Sequence, residues 1–294
     1  MLYALLVSCN GTPTSFVSVP ADRTDVVDSE SDTAETGDTG ASSRWEGANG
    51  FGFSLAWHDG AIWSGNPNLG EVSTLDGSII LRGPGDYGWS LASTPGGLAI
   101  GAPLAGVLYL DEDSLAEGDL AAGRLVADGD VLAWTIQGGL AVGDDHTVFS
   151  QQPSALAFHE GELLVSFSRG PEVLEGRERA DQDGDLGYAL CASDDLVAVS
   201  APGIDQVLLI TDEGEERFTA DGRFGHALSC GPGEVVVGAP MSGAVWLLRP
   251  GEDAELMTAE AGLGESVLLT PEGAIYAGTP GNTSSSGGSV VRLR

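Results

Sequence analysis

The sequence predicts an all-β fold, a seven-bladed β-propeller whose blades are four-stranded antiparallel sheets. Three observations predict it: one phrase recurs along the chain, each copy divides into four apolar segments, and the segment before the first copy resembles the part missing from the last. The 294 residues include 44 Gly and 14 Pro, and 42% are hydrophobic but only 19% charged. This composition is typical of many short strands joined by tight turns.

The recurring phrase is best preserved in "RFGHALSCGPGEVVVGAPMSGAVWLL", which starts at Arg223. Strong copies start at Asp86 and Asp185, weaker copies start at Gly50 and Gly262, and two degraded copies complete a set of seven. A phrase that recurs in this way is architectural, because a catalytic motif normally occurs once. The copies open at Gly52, Gly88, Asp130, Pro153, Gly187, Gly225 and Gly264, with spacings of 36, 42, 23, 34, 38 and 39 residues. Since 23 residues are too few for four strands, the third blade is predicted to be shortened.

Each copy contains the parts of one small sheet. In the copy from Arg223, "HALSC" and "EVVVGAP" are separated by "GPG", which predicts a tight hairpin. The segments "GAVWLL" and "AELMTAEAG" then supply a third and a fourth strand, and four antiparallel strands make a propeller blade. Runs such as "VVVG" are continuously apolar because neighbouring blades are expected to cover both faces of the sheet.

The two ends of the repeat region are predicted to meet. The last copy stops after its third strand, "SVVRLR", and "SRWEGANGFG" from Ser43 has the form of the missing fourth strand. The N-terminal strand is therefore predicted to complete the final blade, and the propeller domain is predicted to span residues 44–294.

The chain begins with "MLYALLVSCNGT", an apolar run that ends at Cys9. Its "LVSC" resembles the lipobox of bacterial lipoproteins, in which the cysteine carries the lipid. The resemblance implies a signal segment at residues 1–9, lipidation of Cys9, and a location in the bacterial cell envelope, lipid-anchored at the outer membrane or surface, or exported. Residues 10–43 are rich in Ser, Thr, Asp and Glu and are predicted to form a disordered acidic linker.

The charge excludes several kinds of partner. The chain has 44 acidic residues against 12 basic ones, all Arg, for a net charge of -32. Nucleic acid is excluded because phosphate contacts need clusters of Lys and Arg, and an anionic membrane is predicted to be contacted only through the N-terminal lipid. The surface is interpreted as a solvated, self-repelling one, the alternative being a face that gathers cations or a basic partner.

The repeats resemble the FG-GAP repeats of integrin α-subunits and related bacterial surface proteins. Phe224-Gly225 and Gly238-Ala239-Pro240 are the best match. The resemblance implies a seven-bladed β-propeller, extracellular display and a role in binding. Many members hold calcium between the first two strands of a blade, but the first hairpins of this chain have only "GPG" or "TPGG" there. A second resemblance, of "SLAWHDGAIWSGN" to the chromosome-condensation regulator repeats, implies another type of propeller.

One other stretch has the composition of a calcium loop. In "DQDGDLG", Asp181, Asp183 and Asp185 alternate, and Gly184 allows a sharp bend. The alternative is an exposed acidic turn. No other metal and no organic cofactor is predicted.

The histidines do not predict an active site. His58 and His159 occupy equivalent turn positions, and His226 begins a strand where other copies have an aromatic residue, which indicates a packed ring. No serine lies in a G-x-S-x-G context. The chain is therefore predicted not to be an enzyme.

Two cysteines follow Cys9. Cys191 and Cys230 lie on the innermost strands of adjacent repeats, where they either form a disulfide or remain buried thiols.

The predicted function is that of a surface-tethered, non-enzymatic propeller, a monomeric domain that binds a protein or glycan partner in adhesion or interaction. Loops after Gly-Ala-Pro and loops between blades are predicted to share one rim, because antiparallel strands alternate in direction. The alternatives are a hydrolase or lyase acting through the central channel, which needs a convergent cluster of His, Asp or Arg at the channel, and a structural spacer of an envelope assembly. The predicted partner-binding residues of the rim are Asp86, Asp128, Asp130 and Asp221.

Overall fold

The computed structural model describes residues 2–4, 43–117, 123–149, 151–167, 172–174, 177–179, 185–281 and 287–294. Within these ranges the regular structure consists of β-strands and one 3₁₀ helix, Pro202–Ile204. No helix in the described part of the chain is both long enough and apolar enough to cross a membrane.

Six four-stranded antiparallel sheets, numbered here as blades 1 to 6, make up most of the domain. Strands β1 (Leu2–Ala4) and β2 (Arg44–Gly47) precede blade 1, which contains β3 (Ser54–His58), β4 (Ala61–Asn66), β5 (Glu71–Thr74) and β6 (Ile80–Arg82). Blade 2 contains β7 (Ser90–Thr94), β8 (Gly97–Ala102), β9 (Val107–Leu110) and β10 (Asp113–Glu117), and blade 3 contains β11 (Leu125–Asp128), β12 (Val131–Ile136), β13 (Gly139–Val142) and β14 (Asp145–Val148). Next come β15 (Ala155–His159), β16 (Glu162–Ser166), β17 (Glu172–Leu174) and β18 (Arg177–Arg179). Blade 4 contains β19 (Leu190–Ser193), β20 (Leu196–Ala201), β21 (Gln206–Thr211) and β22 (Gly214–Thr219), and blade 5 contains β23 (Ala227–Gly231), β24 (Glu234–Ala239), β25 (Ala244–Leu248) and β26 (Glu255–Ala259). Blade 6 contains β27 (Ser266–Leu269), β28 (Ile275–Thr279), β29 (Gly288–Arg292) and β2.

The prediction of seven four-stranded blades was wrong, because the structure is a six-bladed propeller. The repeat at Pro153 contributes only the hairpin β15–β16, to which β1 adds a third strand, while β17 and β18 pair in a separate two-stranded sheet. We call β1, β15 and β16 the short sheet. It lies between blades 3 and 4, where β15 contacts β11 and β19.

The prediction that the third blade is shortened was also wrong, since blade 3 has all four strands. The first strand of this repeat begins at Leu125, and Asp130 lies in the hairpin turn between β11 and the second strand, β12. With this correction the copies are nearly evenly spaced. First strands begin at Ser54, Ser90, Leu125, Ala155, Leu190, Ala227 and Ser266, with spacings of 36, 35, 30, 35, 37 and 39 residues.

Closure of the ring by the N-terminal strand is confirmed. Strand β2 pairs antiparallel with β29, from Arg44 opposite Val291 to Gly47 opposite Gly288. The outermost strand of blade 6 therefore comes from the opposite end of the domain.

The hydrophobic core is divided among the interfaces between neighbouring sheets. In β24, Val235 and Val237 pack toward blade 4, whereas Val236 packs toward blade 6. The described core clusters each join two neighbouring sheets in the same way. The continuous apolar runs therefore have the predicted cause, burial of both faces.

The glycines of the two motif halves contact each other across blades. A Cβ atom on Gly238, of the Gly-Ala-Pro in blade 5, would lie 2.0 Å from the carbonyl oxygen of Gly264, which precedes blade 6. A Cβ on Gly278 would lie 2.2 Å from the carbonyl oxygen of Gly52, which precedes blade 1. Only glycine allows this approach, so the repeated phrase reflects inter-blade packing.

Candidate binding site at the channel mouth

The first strands of the sheets surround a central cavity of about 490 Å³, which falls within the size range of small-molecule sites. The cavity opens at the end of the ring where these strands begin. We call this opening the channel mouth and define it by six residues that lie one or two positions before a first strand: Phe53, Trp89, Arg124, Tyr188, His226 and Glu265.

A repeated turn brings five of these residues together. In each case the preceding residue is a glycine with φ between 84° and 96°, a left-handed conformation that favours glycine. Because the same turn recurs in successive blades, the next side chain occupies an equivalent place around the channel. These glycines are Gly52, Gly88, Gly187, Gly225 and Gly264.

Aromatic rings form much of the mouth. The ring centroids of Phe53 and Trp89 are 4.8 Å apart, and those of Tyr188 and His226 are 5.3 Å apart. Trp89 is 37% exposed, so its indole is accessible from solvent. The guanidinium carbon of Arg223 lies 5.8 Å from the centroid of Tyr188, within reach of a cation–π interaction.

His226 and Glu265 form the one hydrogen-bonded pair between side chains of the described mouth residues. Nε2 of His226 lies 2.8 Å from Oε2 of Glu265, and the two side chains are 14% and 31% exposed. The hydrogen bond from His226 lowers the pKa of Glu265, against the opposing effect of burial and with help from the positive charges of His226 and Arg223. Nδ1 of His226 is buried and has no hydrogen-bond partner among the described residues. Neither imidazole nitrogen is thus open to a substrate, and a carboxylate with a lowered pKa is a weak base at neutral pH.

The lowered pKa of Glu265 predicts a pH-dependent contribution to stability. Because the pKa is lower in the folded state, the carboxylate stabilises the fold at neutral pH, and this contribution is lost as the pH falls through the folded-state pKa. We expect Glu265→Gln to lower the free energy of unfolding at pH 7 by about 1 kcal/mol, and to have almost no effect near pH 3. Thermal unfolding at both pH values measures the difference. The exposed Glu162 provides a control, and a Glu265→Gln effect that is equal at both pH values would contradict the assignment.

Arg124 supplies a positive charge on the other side of the mouth. Its Nε donates a hydrogen bond to the carbonyl oxygen of Ser154 at 3.0 Å, and its backbone N–H donates to Oγ1 of Thr135 at 3.1 Å. These bonds hold the guanidinium beside the cavity. No carboxylate in the described part of the chain forms an ion pair with it.

Asp86, one of the predicted rim residues, has a structural role. It is buried, and its carboxylate accepts the backbone N–H of Leu104 at 2.6 Å and that of Ala105 at 3.4 Å. It therefore holds the Gly-Ala-Pro loop of blade 2. Asp221 is exposed, and its carbonyl oxygen accepts a hydrogen bond from Oγ of Ser242 at 3.1 Å.

Asp128 and Asp130 do not lie with these residues. Asp128 ends β11 and Asp130 lies in the turn that follows, at the end of the ring opposite the channel mouth. The turn residues His58 and His159 lie at that same end, where Nδ1 of His58 is 2.9 Å from Oγ of Ser93. The structure therefore does not bring the four predicted rim aspartates onto one face.

The predicted metal and lipid sites lie largely outside the described residues. Cys9, Asp181 and Asp183 fall there, while Asp185 is exposed and its carbonyl oxygen accepts the N–H of Tyr188 at 3.0 Å. Among the described residues there is no group of three His, Cys, Asp or Glu side chains able to hold a metal ion.

A disulfide joins Cys191 and Cys230, whose Cα atoms are 5.5 Å apart. It connects the first strands of blades 4 and 5, and both cysteines pack against the core between those blades. Of the two arrangements that the sequence allows, the structure contains the bonded one.

The loops after the second strands add exposed apolar side chains at the mouth end of the ring. Leu104 is 87% exposed and Met241 is 78% exposed. Equivalent loops carry Leu69 and Ile204.

Comparison with known proteins supports the fold. No protein-family model matches the sequence, and no curated protein matches it. Virginiamycin B lyase from Staphylococcus aureus has a similar structure, with a TM-score of 0.65 and 13% identity over 86% of this chain and 99% of the lyase. A catalytically inactive histidine-to-alanine variant of that lyase with quinupristin matches with a TM-score of 0.59 and 14% identity, over 86% of this chain and 100% of the other. The WD40 propeller domain of Doa1 matches with a TM-score of 0.64 and 10% identity, over 85% of this chain and 95% of that domain.

Proposed function

We propose that this protein is a non-enzymatic binding module whose protein or glycan partner docks at the channel mouth. The observation that carries the proposal is the convergence of three aromatic rings and Arg124 on one open cavity. Binding sites characteristically combine apolar and aromatic walls with a few polar groups that orient the ligand. The exposed Leu104 and Met241 extend the apolar surface at the same end of the ring.

Binding is favoured over catalysis by the state of the only histidine at the mouth. One nitrogen of His226 is engaged by Glu265 and the other is buried, so the ring has no site from which to exchange a proton with a ligand. The lyase structures and the WD40 domain share 10 to 14% sequence identity with this chain. At this identity the similarity concerns the fold and gives no information about activity.

The test compares the two ends of the ring on arrays of defined glycans and defined peptides. We expect Trp89→Ala to abolish the signal of any bound ligand and His58→Ala, at the other end, to leave it unchanged. Bound ligand recovered and weighed by mass spectrometry is expected to be intact. Binding that is insensitive to Trp89→Ala would overturn the proposed site. A cleaved ligand would show that the protein is an enzyme and would overturn the proposed non-enzymatic function.

We also propose that the protein is exported and held at the bacterial envelope by a lipid on Cys9. The lipobox-like "LVSC" and the resemblance of the repeats to FG-GAP proteins support this location, and a disulfide is stable in an oxidising compartment. Metabolic labelling with a palmitate analogue, with Cys9→Ala as control, is the test. A wild-type protein that takes up no label would exclude the lipid anchor.

A further inference from the structure

The charges at the channel mouth differ from those of the rest of the chain. The protein has 44 acidic residues and 12 arginines, yet the described mouth residues include one carboxylate, Glu265, and one arginine, Arg124, and Arg223 stands beside them over Tyr188. Glu265 is hydrogen-bonded by His226. The six mouth residues therefore carry one carboxylate and one arginine, with Arg223, Asp185 and Asp205 in the adjoining loops, whereas the chain as a whole has a net charge of -32.

The distribution of these groups separates an apolar side from a cationic side. Phe53 and Trp89 come from blades 1 and 2 and contact each other. Arg124 comes from the next blade around the ring, where β11 packs beside β7, and its guanidinium lines the same cavity as Trp89 while it bonds to Ser154. A ligand that contacts both the aromatic rings and Arg124 must have a flat apolar face next to an anionic group.

We propose that the channel mouth binds an acidic sugar, a uronic-acid residue whose C–H face packs on Trp89 and Phe53 and whose carboxylate pairs with Arg124. This inference rests on the proposed binding function and names its ligand class. A pyranose ring offers the flat apolar face, and an arginine fork matches a carboxylate in a bidentate, charge-assisted pair.

A cationic ligand fits the mouth less well, although three aromatic rings alone would attract one. The face of Tyr188 is already approached by Arg223, so the protein supplies its own cation there. Arg124 repels a second positive charge at short range. Carboxylates more than about 8 Å from a bound ligand are screened at physiological ionic strength, and the nearer Asp185 and Asp205 lie beside Arg223, outside the lining of the cavity.

The experiment titrates the full chain, with its disulfide intact, with three trisaccharides of different charge by isothermal titration calorimetry. The probes are trigalacturonic acid, maltotriose and the trimer of glucosamine. We expect trigalacturonic acid to bind at least tenfold more tightly than maltotriose, and the glucosamine trimer to bind most weakly. Raising the salt concentration is expected to weaken only the uronate.

The variants separate charge from shape. Arg124→Gln is expected to reduce uronate affinity at least tenfold and to leave maltotriose unchanged, and Arg124→Lys is expected to restore part of the loss. Arg82→Gln removes an exposed arginine on the outermost strand of blade 1, outside the lining of the cavity, and is expected to leave the affinity for all three sugars unchanged. Thermal unfolding of each variant shows whether Arg124 is also needed for folding. If Arg124→Gln does not fold, the uronate affinity of the folded Arg124→Lys variant tests the role of the positive charge.

The failures of the two proposals are distinguishable. Equal binding of uronate and maltotriose, or tighter binding of the glucosamine trimer, would overturn the acidic-sugar inference and leave binding at the mouth standing. If none of the three sugars binds while Trp89→Ala still removes an array ligand, the ligand class is wrong and the site is right. If Trp89→Ala has no effect in either assay, both proposals fail.

Discussion

A chain that starts at residue 48 is expected to unfold at a temperature about 10 °C lower than a chain that starts at residue 43. The longer chain keeps β2, and the shorter one lacks it. Strand β2 pairs along its length with β29, Trp45 packs beside Tyr276 at 6.0 Å between ring centroids, and Arg44 forms an ion pair with Glu260 at 2.5 Å. Since each lost backbone hydrogen bond costs about 1 kcal/mol, the difference in free energy of unfolding is expected to be about 4 kcal/mol.

Thermal unfolding followed by circular dichroism measures the difference. Both chains lack β1, so the comparison isolates the closing strand. Two unfolding temperatures within about 1 °C of each other would mean that β2 does not hold the ring closed.

Removal of the Cys191–Cys230 disulfide is expected to lower the free energy of unfolding by about as much as removal of β2. The bond closes a loop with a sequence separation of 39 residues, for which the loss of unfolded-state entropy corresponds to about 4 kcal/mol. A reductant is therefore expected to lower the unfolding temperature of the wild-type protein and to have no effect on a Cys191→Ser, Cys230→Ser double variant.

The two single variants serve as further controls. Each is expected to lose nearly as much stability as the double variant, because either change removes the same bond. If both thiols of the unreduced protein react with an alkylating reagent after denaturation, the bond is absent and this expectation fails.

Much of the ring was predictable because its packing requirement is repeated in the chain. Gly238 and Gly264 must approach each other between blades 5 and 6, and the same need recurs at Gly278 and Gly52. Each copy of the phrase therefore marks one close contact between neighbouring blades, and the positions of the copies predict where the strands lie. Closure was predictable for a related reason, since β2 fills a place that the last repeat leaves empty.

The count of blades was not predictable from the same signal. In blade 3 the first strand, Leu125–Asp128, was not recognised, because the apolar β12 and the Gln137-Gly138 turn after it imitate the usual first strand and first hairpin. Near Pro153 the hairpin β15–β16 carries the pattern of a blade, but the segments that follow do not extend its sheet. Apolar alternation identifies a strand without specifying how many partners it will have.

The candidate site at the channel mouth was not predicted from the sequence, although its residues occupy one recognisable position of the repeat. Phe53, Trp89, Tyr188 and His226 stand at one position of the repeat, and this was interpreted as packing. Their convergence depends on the ring itself, because positions far apart in the chain meet only when the first strands surround one axis. The four rim aspartates do not lie on one face for a related reason: the carboxylate of Asp86 binds its own loop, and Asp128 ends the first strand of blade 3 at the opposite end of the ring.

The residue that follows each turn glycine varies in chemistry from one blade to the next. Its neighbours on either side are constrained by contacts between sheets, whereas Phe53, Trp89, Arg124 and Glu265 differ widely in chemistry at equivalent places. Exchanges at these places change contacts at the ends of the first strands, such as Phe53 with Trp89 and His226 with Glu265, but not the glycine contacts that set the distance between blades. A scaffold of this kind can acquire new ligand preferences by single substitutions around its axis, at a stability cost confined to the side-chain contact that is changed.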